Sequence, residues 1–451
     1  MTTPAHQLQT VDLSPIHDQS CDTAILLPYL LSVSDLHTHP MADDPIGPMT
    51  PVGGVPLFLR SVLTLQRAKI TNIVVLCGEN SDALKALAQD ARVRATIRWM
   101  PVHTFPLDDP RTWDALGREI RGLCVIIAAR AVFSKTLIEE LKRHADLGPG
   151  HIIVPIVSDV RQETGVDIIA VPADRFRADS WRSIFSLSGS LLERIRLQAA
   201  AEKRVRTVSF HAHSPSWSQT VGTTEEIRRA ERRLAAAPKA STDGFVDTYF
   251  NRKAAAGLTR LFLKAGWSPN AVTALSLIIG FAAAGCFARG TYWSGVVGAL
   301  LFQLSAVVDC CDGDVARLTF RESRFGEQLD LIGDNAVHMA IFGALGWAAY
   351  LNGGGALSLG LALLAMIGNA CSLWFVTRAK TVAETSGLSH PVQAARLDFI
   401  VKNVASRDFS LVVLIFSLFN LLGIFLWFAA IGSNLFWMTT AWLTRSPAVR
   451  A

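Results

Sequence analysis

Four aspartates lie inside the most apolar part of the chain: Asp309, Asp312, Asp330 and Asp334. A carboxylate in an apolar, membrane-length segment is costly unless a counter-charge neutralises it. At about 100° per helical residue, Asp309 and Asp312 share one face of a helix, and the other two acids share a face of the next helix. Two such helices could direct four carboxylates at one point. Hard divalent cations prefer oxygen ligands of this kind, so the spacing predicts a cation site.

Small and basic residues accompany these acids at helical spacing. Gly313, Ala316 and Arg317 fall on the face of the first two acids. Gly326 falls on the face of the second two. Small residues let a ligand or a neighbouring helix approach closely, so they fit either a bound nucleotide or simple helix packing. Arg317 fits either a phosphate or a carboxylate, and its position in the pattern does not separate the two.

Together these residues form the pattern D-x2-D-G-x2-A-R-x8-G-x3-D-x3-D, and every defined position is occupied. The pattern resembles the signature of the CDP-alcohol phosphotransferases, also called CDP-alcohol phosphatidyltransferases. The resemblance implies that an acceptor hydroxyl attacks the β-phosphorus of a CDP-alcohol and that CMP leaves. Such a reaction needs positioning and charge neutralisation, and two divalent cations, Mg²⁺ or Mn²⁺, would bridge the diphosphate.

The resemblance also implies roles for individual residues. Asp309, Asp312 and Asp330 hold metal, and Asp334 is the general base that takes the acceptor proton while also reaching the metal. The CDP-binding residues implied are Asp309, Asp312, Gly313, Ala316, Arg317, Gly326, Asn270 and Thr273. The last two follow a Ser-Pro pair, so a plain helix start is the alternative interpretation.

The acceptor-binding candidates are Arg324, Arg378 and Lys380, which could hold a phosphate on the acceptor. Loops on the cytoplasmic side of a membrane carry basic residues in any case, so this pattern has a second explanation. The expected partners are a CDP-alcohol donor, an alcohol or polyol-phosphate acceptor and the lipid bilayer. By resemblance, the protein is expected to be a homodimer.

Composition limits the function classes. The chain has 451 residues, of which 50% are hydrophobic, and a net charge of +5. This modest charge, without basic patches interleaved with aromatic residues, argues against nucleic-acid binding. The first 22 residues are polar and lack the apolar core of a signal peptide. Seven cysteines without a disulfide-like spacing indicate a reduced, cytoplasm-facing protein.

Six membrane spans are predicted from the long apolar runs after about residue 270. Their ranges are Ala271–Ala288, Trp293–Val315, Leu329–Leu351, Ala356–Val376, Phe409–Leu422 and Ile424–Trp442. The last two are separated near Asn420–Gly423, because one continuous run would exceed a single span. Basic residues concentrate in alternate loops, which predicts that both termini are cytoplasmic. The expected location is an integral membrane protein, in the inner membrane if the cell is bacterial.

The first half reads as an α/β domain. Predicted strands are Ile25–Leu31, Ile73–Cys77, Val125–Ala128 and Ile152–Val157, and predicted helices are Pro56–Lys69, Asp82–Asp90 and Lys135–His144. This alternation predicts a parallel sheet covered on both faces. Pro51–Leu57 and Thr223–Glu231 resemble sugar-nucleotide-type nucleotidyltransferases. The segment from Thr242 to Arg252 resembles the linker of bifunctional inositol-phosphate cytidylyltransferase/di-inositol-phosphate-phosphate synthases.

This domain departs from the nucleotidyltransferase pattern at the positions that bind phosphate and metal. No Gly-rich run with a basic residue follows the first strand. Ala128–Arg130 and Gly222 stand where metal-binding aspartates are expected, which predicts a catalytically degenerate domain. The D-x-H-x-H spacing of Asp35, His37 and His39 fits a metal site or, more simply, a polar loop. His211 and His213 are a weaker candidate of the same kind.

The expected fold class is therefore an α/β nucleotidyltransferase-like, Rossmann-like soluble domain followed by an all-α domain of six transmembrane helices. The predicted boundaries are a polar tail at 1–22, the α/β domain at 23–240, a linker with a juxtamembrane amphipathic helix at 241–268, the membrane domain at 269–445 and a cytoplasmic tail at 446–451. Two alternatives remain: a bifunctional enzyme with an active N-terminal cytidylyltransferase, and a non-catalytic polytopic transporter or scaffold.

Overall fold

The computed structural model describes residues 22–28, 46–78, 81–107, 109–120, 122–128, 130–144, 150–157, 167–176, 184, 187, 189–210, 214–235, 252–386 and 409–445. The chain separates into two compact units, Met1–Glu231 and Arg232–Ala451. The first contains strands and helices, and the second is helical. The predicted combination of an α/β domain with a helical domain is confirmed.

A seven-stranded sheet forms the centre of the first unit, with strand order β10-β8-β9-β6-β1-β4-β5. The strands of the unit are β1 (Thr23–Leu27), β2 (Pro51–Val52), β3 (Val55–Pro56), β4 (Asn72–Cys77), β5 (Thr96–Pro101), β6 (Leu123–Ala128), β7 (Ala131–Phe133), β8 (Ile152–Val157), β9 (Ile168–Pro172), β10 (Val205–Phe210) and β11 (Ser218–Thr220). The middle strands β1 and β6 are buried along their whole length, as expected for strands covered on both faces.

Helices cover both faces of this sheet. They are α1 (Leu57–Arg67), α2 (Asp82–Ala88), α3 (Pro110–Glu119), α4 (Lys135–Arg143), α5 (Leu191–Ala201) and α6 (Thr224–Ala235). Apolar residues of α1, α2 and α4 join one hydrophobic core, and those of α3 and α5 join a second core on the other face. The three-layer architecture predicted from the alternating pattern is confirmed.

The sheet is not wholly parallel, which corrects the sequence-based prediction. Strand β9 runs antiparallel to β6 and β8, while β1 pairs in parallel with β4 and β6. The first predicted strand was also too long, because β1 ends at Leu27 and Pro28 follows. Proline lacks a backbone N–H and does not continue a central strand.

The β2–β3 hairpin precedes α1 and depends on a buried arginine. Gly53 and Gly54 form its turn with φ of 56° and 75°, the left-handed region that glycine adopts readily. Arg60, on α1, donates from Nε to the Val52 carbonyl at 2.9 Å and from Nη2 to the Gly53 carbonyl at 3.2 Å. Glu231 accepts a hydrogen bond from the Gly53 N–H. Burial holds the pKa of the Arg60 guanidinium below its ordinary value.

The second unit consists of helices. They are α7 (Arg252–Lys264), α8 (Pro269–Phe287), α9 (Tyr292–Thr319), α10 (Arg324–Ala349), α11 (Gly355–Ser386), α12 (Phe409–Leu418) and α13 (Leu422–Arg445). Among the described residues, four segments are long and apolar enough to cross a membrane: Pro269–Phe287, Tyr292–Thr319, Arg324–Phe375 and Leu422–Trp442. Their length and apolar composition are those of membrane-spanning helices.

The third of these segments contains two helices. A π turn at Tyr350–Gly354 separates α10 from α11, and Gly353 and Gly355 adopt positive φ there. Helix α12 is apolar and has 10 residues in the described part of the chain, fewer than the predicted span Phe409–Leu422 and too few to cross a bilayer alone. The count of six spans is therefore not established by helix length.

Helix α8 lies between the two helices that carry the acids. It packs against α9 and against α10, whereas α9 and α10 make little direct backbone contact with each other. A Cβ on Gly280 of α8 would lie 2.7 Å from Val337 of α10, and a Cβ on Gly333 of α10 would lie 2.6 Å from Leu277 of α8. Glycines therefore permit the close approach of α8 and α10.

Helix α7 lies in the C-terminal part of the predicted linker region, 241–268. Ala255 and Phe262 are buried and pack in a cluster with Val307 and Cys311 of α9. On the other side of α7, Leu261 is 59% exposed. One face of α7 therefore packs on the acid-bearing helix, while the exposed face carries Arg260 and Lys264 beside Leu261, which fits the predicted amphipathic character.

Candidate active site

The two acid-bearing helices meet at a short loop. Helix α9 ends at Phe320, whose φ of 57° is left-handed and terminates the helix. Ser323 then caps α10, because its side-chain oxygen accepts a hydrogen bond from the Gly326 N–H at 3.0 Å. The acids in the last turns of α9 and in the first turns of α10 therefore lie at the same end of the helical unit.

Three of the four predicted metal ligands converge. Carboxylate oxygens of Asp309, Asp330 and Asp334 all lie within 4.8 Å of one another. Asp309 is 3% exposed, and the other two are half-buried. The three side chains come from two helices, as the helical spacing predicted. Within the described residues, this is the group of acids, histidines or cysteines with the geometry to hold a metal ion.

Asp312 lies outside that group and has a specific hydrogen-bond donor. Thr273 of α8 donates from Oγ1 to Asp312 Oδ2 at 2.5 Å, and both residues are buried. Thr273 was predicted from the resemblance as a nucleotide contact. The structure places its hydroxyl on one of the predicted metal ligands, and the nucleotide contact stays a prediction.

Arg317 contacts an acid that was not predicted to be part of the site. Its Nη2 lies 2.6 Å from Asp314 Oδ1, and the arginine is exposed at the helix surface. A Cβ on Gly313 would lie 3.6 Å from the guanidinium nitrogens, at ordinary contact distance. In the structure Arg317 pairs with the Asp314 carboxylate, and its predicted contact with a phosphate stays a prediction. Ala316 is half-buried on the same stretch.

The start of α8 lies beside the start of α10. The Cβ position of Gly326 is 3.2 Å from Asn270 Oδ1 and 3.2 Å from Ser323 Oγ. Asn270 is exposed. The predicted CDP-binding residues Asn270 and Gly326 are therefore neighbours.

The acceptor candidates lie on the helices that flank this region. Arg324 is exposed in the first turn of α10. Arg378 is exposed on α11, and its guanidinium carbon lies 5.3 Å from the centroid of the Trp374 ring. Lys380 belongs to α11, but its side chain lies outside the described residues.

Sequence reasoning missed a pair of amides next to the acids. Asn335, which follows Asp334, accepts a hydrogen bond from Asn369 of α11 at 3.1 Å. Asn335 also donates to the Leu331 carbonyl one turn earlier. The available signal was the rarity of amide side chains in apolar helices, where they often bond across helix pairs.

In the first unit, the positions expected to carry metal-binding aspartates carry other residues. Arg130 lies near Gly222, since a Cβ on that glycine would be 3.9 Å from Arg130 Nη1. Asp167 is nearby and accepts a hydrogen bond from Thr220. Burial raises the pKa of Asp167, against the opposing effects of Thr220 and of the Arg130 charge. Glu226 lies closer still to the Gly222 position, at 3.5 Å, and accepts hydrogen bonds from the Gly222 and Thr223 N–H groups, so the region combines one guanidinium with two hydrogen-bonded acids.

Two histidine-containing candidates cannot be placed. Asp35, His37 and His39 lie outside the described residues, and so do His211 and His213. Their proposed metal binding stays a prediction.

Residues 267–444 match the family model described as CDP-alcohol phosphatidyltransferase. A curated relative, the bifunctional IPC transferase and DIPP synthase of Archaeoglobus fulgidus, is 24% identical over 310 residues. The alignment covers 64% of this chain and 60% of the relative, so the chain spans less than two thirds of the relative's length. The resemblance predicted from the aspartate pattern is confirmed.

Two solved structures are each similar to part of this chain. The inositol-1-phosphate CTP transferase from T. maritima has 12% identity and a TM-score of 0.34, and the match covers 48% of this chain and 97% of that protein. The phosphatidylinositol phosphate synthase of Mycobacterium tuberculosis, solved with CDP-DAG bound, has 22% identity and a TM-score of 0.33. That match covers 44% of this chain and 98% of the synthase.

Proposed function

Because residues 267–444 belong to the CDP-alcohol phosphatidyltransferase family, we propose that the protein is a metal-dependent membrane transferase. It moves a substituted phosphate group from a CDP-alcohol to an acceptor hydroxyl and releases CMP. Such a reaction serves the synthesis of phospholipids or of polyol phosphodiesters. The convergence of Asp309, Asp330 and Asp334 is the observation that carries this proposal.

The donor set of this cluster fits a hard divalent cation. Three carboxylates with oxygens within 4.8 Å repel one another, by about 3 kcal/mol per ionised pair at an effective dielectric constant of about 20. Carboxylate oxygens suit Mg²⁺ and Mn²⁺, and a cation among them converts the repulsion into attraction. Asp309, Asp312, Asp330 and Asp334 would hold two such ions. When bound, the ions neutralise charge on the diphosphate and on the leaving CMP.

The reaction requires one proton transfer and one exchange of bonds at phosphorus. The acceptor oxygen forms a bond to the β-phosphorus, and the bond from that phosphorus to the bridging oxygen of CMP breaks. Asp334 takes the proton of the acceptor hydroxyl, since it lies in the cluster and is only half-buried. CMP leaves with the electron pair of the broken bond.

We assign the nucleotide to the region bounded by the ends of α8, α9 and α10. Gly313 and Ala316 leave room along α9, and Asn270 beside Gly326 offers an amide at the start of α8. Arg317 adds positive charge at the same end. Arg324, Arg378 and Lys380 supply positive charge for a phosphate on an alcohol or polyol-phosphate acceptor.

We propose six transmembrane helices with both termini in the cytoplasm, and a homodimer as the assembled form. Helices α10 and α11, on either side of the π turn, would each span once, and α12 would complete a span with neighbouring residues. The membrane domain would cover 269–445. The basic residues of the α9–α10 loop support a cytoplasmic site, which CDP-alcohols and CMP could reach.

We propose that the N-terminal domain, at 23–240, has the nucleotidyltransferase fold without nucleotidyl transfer. Arg130 and Gly222 stand where two metal-binding acids are expected, and the Arg130 guanidinium opposes cation binding by the nearby acids Asp167 and Glu226. The alternative is an active cytidylyltransferase that makes the CDP-alcohol for the membrane domain. The Archaeoglobus fulgidus relative is named as an enzyme with two activities, so the experiments below also test this alternative.

The test is CMP release by the full-length protein in nanodiscs, with a panel of CDP-alcohols and acceptors and with Mg²⁺ or Mn²⁺. We expect metal-dependent CMP release that Asp330→Asn abolishes. The matched control is Glu327→Gln, which neutralises an exposed acid one turn earlier on the same helix and should retain activity. Unchanged turnover in Asp330→Asn and Asp334→Asn would contradict the proposal and favour a transporter or scaffold.

The same preparation tests the N-terminal domain. Asp330→Asn removes the transfer reaction, so pyrophosphate release from CTP and a polyol phosphate then reports nucleotidyl transfer alone. We expect none. Pyrophosphate release by this variant would show an active cytidylyltransferase and a bifunctional enzyme.

A further inference from the structure

The hydroxyl group of Thr273 is buried and donates a hydrogen bond to another side chain of the protein. It is 3% exposed, and its Oγ1 lies 2.5 Å from Asp312 Oδ2, which fits a charge-assisted hydrogen bond. The same Oγ1 lies 3.2 Å from the Pro269 carbonyl one turn earlier, so the single hydroxyl proton has two acceptors within the protein and is not available to a phosphate. We propose that Thr273 is a positioning residue, which holds Asp312 for cation binding and does not bind the nucleotide through its hydroxyl.

The bond belongs to a chain of buried hydrogen bonds between α8 and α9. Ser276 donates to the Thr273 carbonyl at 2.7 Å, and Ser305 of α9 donates to the Ser276 carbonyl at 2.7 Å. The Thr273–Asp312 bond and the Ser305 bond both cross from one helix to the other, at different heights. Two cross-links at different heights fix the rotation of α9 about its axis relative to α8.

This rotation decides where the acids of α9 point. Asp309 and Asp312 lie on one face of α9, so a helix held at Asp312 also sets the direction of Asp309 toward the acids of α10. The acids of α10 are held to the same α8 through Gly333 and Leu277. Helix α8 carries none of the four acids, yet both acid-bearing helices are held against it.

The loss of a contact that orients a metal ligand lowers metal affinity by a characteristic factor. Residues that orient a metal ligand without touching the metal typically contribute 10- to 100-fold to metal affinity. The inference rests on the proposed function for the role of Asp312 as a ligand. It adds to that function a residue that tunes cation affinity from a helix without acids.

The first measurement is Mn²⁺ binding without substrate, by the loss of the electron paramagnetic resonance signal of free Mn²⁺. Full-length wild type, Thr273→Val and Thr273→Ser are compared in nanodiscs. We expect Thr273→Val to raise the dissociation constant about 10- to 100-fold. Thr273→Ser keeps the hydroxyl and should bind close to wild type. The matched control is Thr440→Val on α13, a buried threonine with a similar bond to the carbonyl one turn earlier.

The second measurement separates positioning from nucleotide contact. At saturating Mn²⁺, Thr273→Val should retain a KM for CDP-alcohol close to that of wild type. A raised KM with wild-type Mn²⁺ affinity would overturn the proposal and return the hydroxyl to the nucleotide. Equal loss of Mn²⁺ affinity in Thr273→Val and Thr273→Ser would also overturn it, because packing would then be the cause. If wild type binds Mn²⁺ but releases no CMP, the proposed function fails while the binding comparison still decides this inference.

Discussion

Gly280 of α8 lies directly against Val337 of α10, and a Cβ at the glycine would be 2.7 Å from the nearest valine methyl carbon. The same position would be 3.2 Å from Ser305 Oγ of α9. Gly280 is therefore the point where three helices meet. A methyl group there cannot be accommodated without moving α10 or α9 away from α8.

Gly280→Ala tests this close approach. We expect it to destabilise the membrane domain by about 1–3 kcal/mol, the usual effect of overpacking, and to lower CMP release because the acids move apart. The matched control is Gly285→Ala on the same helix, where a Cβ would meet nothing within 4 Å. That control should keep its activity and match or exceed the wild-type Tm, since alanine favours helix. Wild-type activity in both variants would contradict the role of α8 as a spacer.

The acid cluster should destabilise the protein when no cation is bound. Removing one charge from three close carboxylates relieves repulsion, so we expect Asp309→Asn to raise stability in EDTA by on the order of 1–3 kcal/mol. With saturating Mn²⁺ the order should reverse, because the wild type gains binding energy. Thermal unfolding of both proteins with and without metal checks this.

The control for that measurement is Asp314→Asn, which breaks the 2.6 Å ion pair with Arg317. It should not gain stability in EDTA. An Asp309→Asn variant that is less stable than wild type in EDTA would show that Asp309 is held mainly by protein partners.

Gly313→Ala tests whether the glycine is needed for nucleotide binding or for helix packing. The three atoms nearest to a Cβ there belong to Arg317 and lie at 3.6 Å or beyond, which is ordinary contact, so Gly313→Ala should fold with an unchanged Tm. If the nucleotide passes close to this backbone, the variant should show a KM for CDP-alcohol raised about tenfold, which corresponds to about 1.4 kcal/mol. Steady-state CMP release measures this. An unchanged KM would place the nucleotide elsewhere.

Arg60 should matter for the N-terminal domain without affecting transfer. Arg60→Met removes two hydrogen bonds to the β2–β3 hairpin and leaves Glu231 without the nearby charge, which should cost about 3 kcal/mol. Hydrogen exchange of residues 51–56 in the full-length protein should accelerate. Arg94→Ala, at an exposed position of the same domain, is the control and should exchange as wild type does. Unchanged exchange in Arg60→Met would show that other contacts hold the hairpin.

Hydropathy predicted the membrane half well because long apolar runs leave few alternatives. The division near Asn420 is an example. It was inferred from span length, and Asn420 adopts a φ of 58° that ends α12 there. The shared faces of the acids followed from helical periodicity alone.

The contacts between helices could not be predicted from the sequence. The bond from Thr273 to Asp312 depends on how α8 and α9 are rotated about their axes, which packing decides. In the first unit, β5 and β10 were missed for a different reason. Both are edge strands with several exposed residues, such as Arg206 in β10, and so lack the continuous apolar run of a central strand.

The short loop from Phe320 to Ser323 joins the two helices that supply every acid of the candidate site. The reactive groups thus belong to one helical hairpin, and α8 completes its support. Helices α11 and α13 pack on each other and reach this hairpin mainly through α10. Sequence changes in α11 and α13 could therefore alter acceptor binding while the hairpin that carries the acids stays the same. One reaction could in this way give different products in related proteins.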